Sequence, residues 1–201
     1  MPRDGNLPAS RVISRRFKDT DPDDHLVALI RRDQKLAWSL LVERHLTPVT
    51  RYAYWILRDR SAAEDVAQET FIRLIKKSSN WEPGGAPLRA WLFRVARNLC
   101  IDRKRSSHRN GGEAIDTVAE TSVRSDLETD MDIQTTVQRA LNRLPERQRS
   151  AIILVHFEGL TGAEASLALG SSIEAVESLL SRARRALRSD LSTLIPDLLE
   201  N

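Results

Sequence analysis

The stretch from Thr161 to Arg188 carries its own start and stop signals, and they leave little choice of local structure. Thr161-Gly-Ala-Glu164 is an S/T-x-x-E capping box, in which the threonine oxygen accepts the Glu164 backbone N–H and the glutamate reaches back to the threonine N–H. The helix so opened runs through Ala165, Ala168 and Leu169 to Gly170, a residue able to take the left-handed conformation that closes a helix. Ser171-Ser-Ile-Glu174 supplies a second capping box, after which Val176, Leu179, Leu180, Ala183 and Leu187 recur at helical spacing and define one buried face. Ser172, Ala175, Ser178 and Arg182 occupy the opposite face, with Arg184, Arg185 and Arg188 around its far end. Two capped helices and a short turn, the second helix long and basic, fit a helix-turn-helix that lays its second helix in the major groove. An ordinary helical hairpin with a solvated basic end satisfies the same pattern, so the rest of the chain has to decide.

A chain of 201 residues holds one ordinary domain or two small ones, and 41% hydrophobic residues suffice for real cores. The formal net charge is only +3, so where the charges fall matters more than their sum. Cys100 is the single cysteine, which excludes an internal disulfide and points to a reducing compartment. No apolar run approaches the roughly eighteen residues that span a bilayer, and no secretory signal is evident at the N-terminus. The expectation is a cytoplasmic protein without membrane insertion.

Residues 1–22 lack apolar periodicity and read as a disordered tail. From Asp24, with Asp23 or Asp24 as cap, Leu26, Leu29, Ile30, Ala37, Trp38, Leu41, Val42 and His45 share one helical face until Pro48 interrupts it. A further segment carries Val49, Tyr52, Ala53, Ile56 and Leu57. Ser61-Ala-Ala-Glu64 forms another capping box, followed by Ala63, Val66, Ala67, Thr70, Phe71, Leu74 and Ile75 as a buried stripe. The turn formers and two prolines between Ser78 and Pro87 make a loop holding an exposed Trp81. A helix from Leu88 to about Arg105 then turns Trp91, Leu92, Val95, Ala96, Leu99 and Cys100 inward, with a basic stripe outward. Residues 106–132 lose the periodicity and accumulate Glu113, Asp116, Glu120, Asp126, Glu128, Asp130 and Asp132, the composition of a flexible acidic linker. Residues 133–195 hold a helix ending before Pro145, a second helix running to Gly159, and the capped pair. No strand pattern emerges. The fold class is all-α: two small helical domains, residues 23–105 and 133–195, joined by the acidic linker, the second containing the helix-turn-helix.

Three segments in this order resemble bacterial RNA polymerase sigma factors of the extracytoplasmic-function type, over about Asp24 to Leu191. Ala63-Glu-Asp-Val-Ala-Gln-Glu-Thr-Phe71 resembles the family's core-polymerase-binding helix. Leu88-Arg-Ala-Trp-Leu-Phe-Arg-Val-Ala-Arg-Asn-Leu-Cys-Ile-Asp-Arg103 is similar to its promoter −10 helix, and Leu144-Pro-Glu-Arg-Gln-Arg149 to the entry of its −35-binding domain. The resemblance implies core RNA polymerase, promoter DNA and an anti-sigma protein as partners. It implies a polymerase contact at Asp65, Gln68 and Glu69, which with Ile72 share the face opposite the buried stripe, although charged helix faces are commonly just solvated. For the −10 element, Arg94, Arg97, Arg103, Lys104 and Arg105 suit phosphate contacts, while Asn80 and Trp81 lie where a loop could capture an unstacked base. Trp81 could equally fold onto the domain edge. For the −35 element the implied residues are Ser171, Ser172, Glu174, Ala175, Glu177 and Ser178, with Arg182 and Arg185 further along. Many relatives carry a basic residue where Glu177 stands and an arginine where Leu179 stands, which here reduces attraction for the backbone. The acidic linker resembles the family segment that threads toward the polymerase active-site cleft; a solvated spacer has the same composition.

Two other classes compete. An enzyme would need concentrated chemistry, but His25, His45, His108 and His156 are scattered, with no H-E-x-x-H, no metal-ligand spacing and no glycine-rich phosphate loop, so neither cofactor nor metal is expected. A stand-alone DNA-binding regulator would use the C-terminal module and leave the N-terminal helices unexplained.

Overall fold

The computed structural model describes residues 23–30, 35–82, 84–109 and 128–194, all of whose regular structure is helical. The expected tail, and residues 110–127 of the expected linker, lie outside the described residues. In chain order the elements are α1 (Asp23–Ile30), α2 (Lys35–Leu57), α3 (Arg60–Ser78), α4 (Leu88–Arg109), α5 (Glu128–Arg143), α6 (Glu146–Ile152), a π-helical turn (Ile153–Phe157), α7 (Gly162–Leu169) and α8 (Ile173–Leu194). The chain forms two compact units, Met1–Arg97 and Asn98–Asn201, so the division falls inside α4. Both α4 and α5 reach into the segment expected to be linker.

In the first unit, α1 packs on α2 and α3, and α2 on α3. Leu26 and Val27 of α1, Leu41, Tyr52 and Ile56 of α2, Val66, Phe71 and Leu74 of α3, and Leu92 and Phe93 of α4 are buried. Trp38 meets Phe71 edge-on at 5.8 Å and Tyr52 meets Phe93 at 5.5 Å, the T-shaped geometry that aromatic quadrupoles favour.

Pro48 does not interrupt its helix; it lies inside α2. An interior proline costs about 3 kcal/mol through its missing N–H and ring clash. Beyond it, however, Val49, Tyr52, Ala53 and Ile56 are all buried on the helix that also buries Ala37, Leu41 and His45. Each large apolar side chain so buried returns about 1.5–3 kcal/mol, enough to carry the helix through the proline.

Two other local expectations need correction. Asp23 and Asp24 sit in the first turn of α1 rather than preceding it. The cap of α3 is Asp59, whose carboxylate accepts the Ala62 N–H at 2.9 Å, and not Ser61. Glu64 instead pairs with Arg60 at 3.0 Å, one helical turn back.

The paired acidic residues of α1 tie it down in two directions. Asp23 Oδ2 lies 2.9 Å from His45 Nε2, and Oδ1 accepts from Arg44 Nη1 at 3.2 Å. Burial pushes the Asp23 carboxyl up, yet hydrogen bonds and charge from His45 and Arg44 outweigh it and hold the group below its ordinary value. A depressed folded-state value means stabilisation that is present above the unfolded carboxyl's range and lost as pH falls through the folded value. Asp23→Asn is therefore expected to flatten the acid limb of a helicity-versus-pH titration while leaving neutral-pH helicity nearly unchanged. A limb identical to wild type would exclude this.

In the second unit, α5, α6 and α7 each pack on α8. Ala140, Leu141, Leu144, Ile152, Ile153, Leu154, Leu160, Ala165, Leu169, Val176, Leu180 and Ala183 form its core. After α6 the backbone widens: Glu158 N–H donates to Ile153 C=O and Leu160 N–H to Leu154 C=O, both at 2.9 Å. These longer spans close a π turn that ends at Gly159, whose φ is 65°.

The Thr161 capping box forms as its sequence dictates, with both reciprocal bonds made. Gly170 then adopts φ 61°, ψ 46°. A Cβ added there would meet nothing within 4 Å, so an alanine would suffer only the left-handed backbone cost. Gly170→Ala should lower the stability of the second unit by about 1 kcal/mol, and Gly170→Asn by less, as read from urea unfolding of the full chain. Equal midpoints for glycine and alanine would contradict this.

Candidate partner and nucleic-acid interfaces

Helix α3 buries Ala63, Val66, Ala67, Thr70, Phe71, Leu74 and Ser78. The face left outward holds Asp65, Gln68 and Ile72, all exposed, with Glu69 half-buried beside them. Glu69 accepts from Arg73 Nε at 2.8 Å, and that hydrogen bond holds its carboxyl below the ordinary range. Ile75, expected in the core, is instead 50% exposed, next to Ile72 at 44%. Its place in the buried stripe goes to Ser78, whose hydroxyl donates to Ile75 C=O at 2.7 Å. Ile75 stands three residues from Ile72 and seven from Gln68, so helical spacing puts all of them on one face. The result is an acidic and amide surface with two isoleucines at one end, suited to a partner helix.

The loop after α3 differs from expectation at its central residue. Trp81 is not exposed: only 7% of it meets solvent. Its ring stands edge-on to Trp91 at 5.9 Å, and its Nε1 donates to Asp24 Oδ1 at 2.9 Å. That places Trp81 as a buried buttress of the loop, with Asn80 exposed immediately before it. Sequence reasoning missed Asp24, whose partners lie 57 and 60 positions away. No local pattern signals such a pairing.

The basic stripe of α4 runs through both units. Arg94 is exposed and Arg97 half-buried in the first; Arg103 and Lys104 are half-buried and Arg105 exposed in the second. Lys104 Nζ pairs with Glu146 Oε2 at 3.1 Å, which offsets part of its charge. Cys100, buried on the same helix, has its thiol pushed up to about 12 by burial, so it is chemically quiet packing.

Helix α8 starts one residue later than its sequence suggests. Its cap is Ser172, whose hydroxyl accepts the Ala175 N–H at 3.2 Å. The Ser171 hydroxyl is buried without a hydrogen-bond partner, so this expected contact residue turns its polar atom away from solvent. Ser172, Glu174, Glu177, Ser178, Arg182 and Arg185 are exposed and Ala175 is half-buried; Arg184 and Arg188 are exposed as well. Val176, Leu180 and Ala183 seal the opposite side. Hydrogen bonding from Ser172, then from its own backbone N–H, holds the Glu174 carboxyl below the ordinary range. The leading end of α8 thus presents hydroxyls and two carboxylates, and its trailing end arginines. Such a surface can accept from a cytosine amino group at one end and grip phosphates at the other.

Among the described residues no group of three or more His, Cys, Asp or Glu could hold a metal ion. No helix searched there is long and apolar enough to cross a membrane.

Residues 41–110 match the family model for sigma-70 region 2, and residues 134–187 that for sigma-70 region 4. The chain is 35% identical over 161 residues to the ECF RNA polymerase sigma factor SigE of Mycolicibacterium smegmatis, covering 78% of this chain and 62% of that relative's length. It is 34% identical over 157 residues to SigL of Mycobacterium tuberculosis, an ECF RNA polymerase sigma factor, covering 77% of this chain and 88% of SigL. Among solved structures, the sigma factor RpoE in complex with the anti-sigma factor NepR from Bartonella quintana superposes with a TM-score of 0.66 at 28% identity, over 77% of this chain and 96% of that one.

Proposed function

This chain belongs to the sigma-70 family, as a sigma factor of the extracytoplasmic-function type, and we propose that it docks on core RNA polymerase and directs it to promoters through two separate DNA contacts. The polymerase contact is the outward face of α3: Asp65, Gln68, Glu69 and Ile72, extended by Ile75. In the first unit the loop around Asn80 takes an unpaired base of the −10 element, and the arginines of α4 hold the adjoining backbone. In the second unit α8 enters the major groove of the −35 element, Ser172 to Ser178 facing bases and Arg182 and Arg185 facing phosphates. An anti-sigma protein that covers the polymerase-facing helices is the expected regulator, by analogy with the RpoE and NepR pair.

The observation that carries this reading over a simple DNA-binding regulator is the α3 face. A helix-turn-helix protein acting alone has no use for an exposed acidic strip ending in two isoleucines on a separate unit. The test is to combine the full chain with core RNA polymerase and a promoter library and ask whether transcription starts at defined positions. Promoter discrimination by the chain without polymerase would instead identify a regulator.

Asp65→Ala and Gln68→Ala should each weaken core binding about tenfold with helicity intact, as expected for polar groups at the centre of an interface. Unchanged affinity in a polymerase titration would remove α3 from the contact.

A further inference from the structure

Trp81 and Gly84 flank the turn of the α3–α4 loop, and both are held by one side chain from a distant part of the chain. Asp24 Oδ1 accepts the Trp81 indole N–H and Oδ2 accepts the Gly84 backbone N–H, each at 2.9 Å. Gly84 has φ 78°, a left-handed conformation, so the turn departs from any path that another residue would take easily. A third bond, from Gly85 N–H to Glu82 C=O at 3.3 Å, closes it. Behind the loop, Trp81 rests edge-on against Trp91 of α4. The bracket itself is anchored: the neighbouring Asp23 is fixed to His45 and Arg44 of α2, while Leu26 and Val27 of the same helix are fully buried. A helix of eight residues therefore ties the loop to the body of the unit.

We infer that Asp24 is a positioning residue for −10 recognition: by holding Trp81 and Gly84 together it fixes the loop shape that presents Asn80 to an unstacked promoter base. This rests on the reading that the loop receives such a base. Its physical ground is that capture of a flipped base demands a preformed pocket, because unstacking already costs free energy and loop ordering would add to it. A carboxylate suits the task because both of its oxygens accept. An asparagine has one oxygen and one NH2, and the NH2 would face an N–H donor, so one of the two anchors must be lost.

The experiment uses the full chain bound to core RNA polymerase on a duplex promoter library randomised over the −10 and −35 elements, with initiating sequences counted. Asp24→Asn should leave core affinity, helicity and −35 preference as in wild type, and reduce discrimination at one −10 position about fivefold or more, the scale of a single misread base. Trp81→Phe, which keeps an aromatic side chain but removes the indole donor together with its five-membered ring, should shift preference at the same position. Combined with Asp24→Asn it should act at the same −10 position and at no other, since both loosen one bracket. Asn80→Ala separates this idea from the reading beneath it. If Asn80→Ala erases the preference while Asp24→Asn and Trp81→Phe leave it intact, the positioning role is wrong and the loop remains the base-binding element. If Asn80→Ala also leaves every −10 preference unchanged, the loop does not read a base and both ideas fall. A uniform loss over all promoters, in step with lost helicity, would make Asp24 a stability residue only.

Discussion

Replacing Phe93 with alanine is expected to unfold the first unit at temperatures where the second remains helical. Phe93 is 1% exposed and its ring meets that of Tyr52, itself fully buried, at an interplanar angle of 73°. Truncating a buried phenylalanine costs about 3–5 kcal/mol, the transfer free energy of the ring plus the cavity it leaves. Small domains have only about 5–15 kcal/mol of stability in total, so this one change removes a large share. Tyr52 would lose its edge-on partner in addition, and α2 and α4 would lose a shared contact. Because the chain forms two compact units, the loss should appear in urea unfolding as an early transition with the amplitude of the first unit and a later one left in place. Phe93→Leu, which retains most of the volume, should move that early transition far less. A single cooperative transition at the wild-type midpoint would contradict the assignment of Phe93 to the core.

The same comparison between local pattern and distant packing explains which parts of this protein were legible in its sequence. The Thr161 box, Gly170 and the stripe Val176, Leu180 and Ala183 are where reading along the chain put them, because each depends on residues within two turns. Capping at α8 slipped by one residue because Ser171 and Ser172 offer chemically identical hydroxyls, and only the turn geometry after Gly170 selects the second. At α3 the sequence offered Ser61 with Glu64, a valid box, yet the left-handed Arg58, φ 60°, ends α2 early enough for Asp59 to cap first. Pro48 was misleading because a proline's local cost is visible in sequence while the burial that outweighs it is not. Ile75 and Trp81 failed in opposite directions for one reason: whether an apolar side chain is covered depends on what lies across from it. For Trp81 the covering groups are Asp24 and Trp91, whereas Ile75 is left half exposed. The outward placement of Asp65, Gln68 and Ile72 on α3 and of Glu177, Ser178, Arg182 and Arg185 on α8 follows from helical spacing. The shape of the loop that carries Asn80 does not, since it is imposed by α1.

Replacing Arg182 and Arg185 together with alanine should weaken holoenzyme binding to promoters about equally across −35 sequences and flatten its salt dependence. Both side chains are exposed on α8, past the hydroxyl and carboxylate residues at its leading end, and on the proposed reading they hold phosphates. Each phosphate neutralised by a cation contributes a slope of about −0.9 to the plot of log affinity against log salt, so losing two should reduce the slope by about 2. The accompanying loss in affinity is greatest at low salt, where release of counterions favours binding most, and shrinks as salt rises. The leading end of the helix predicts the opposite sign of charge effect: Glu174 and Glu177 are exposed there, so part of the arginine attraction is spent against local repulsion of the phosphates. The arginines are therefore more necessary here than on a recognition helix with a basic leading end, and their removal should reduce binding by well over tenfold at low salt. The measurement is holoenzyme affinity for matched and −35-substituted promoters over a salt series. A loss confined to one −35 sequence, with the slope unchanged, would mean that these arginines read bases rather than backbone.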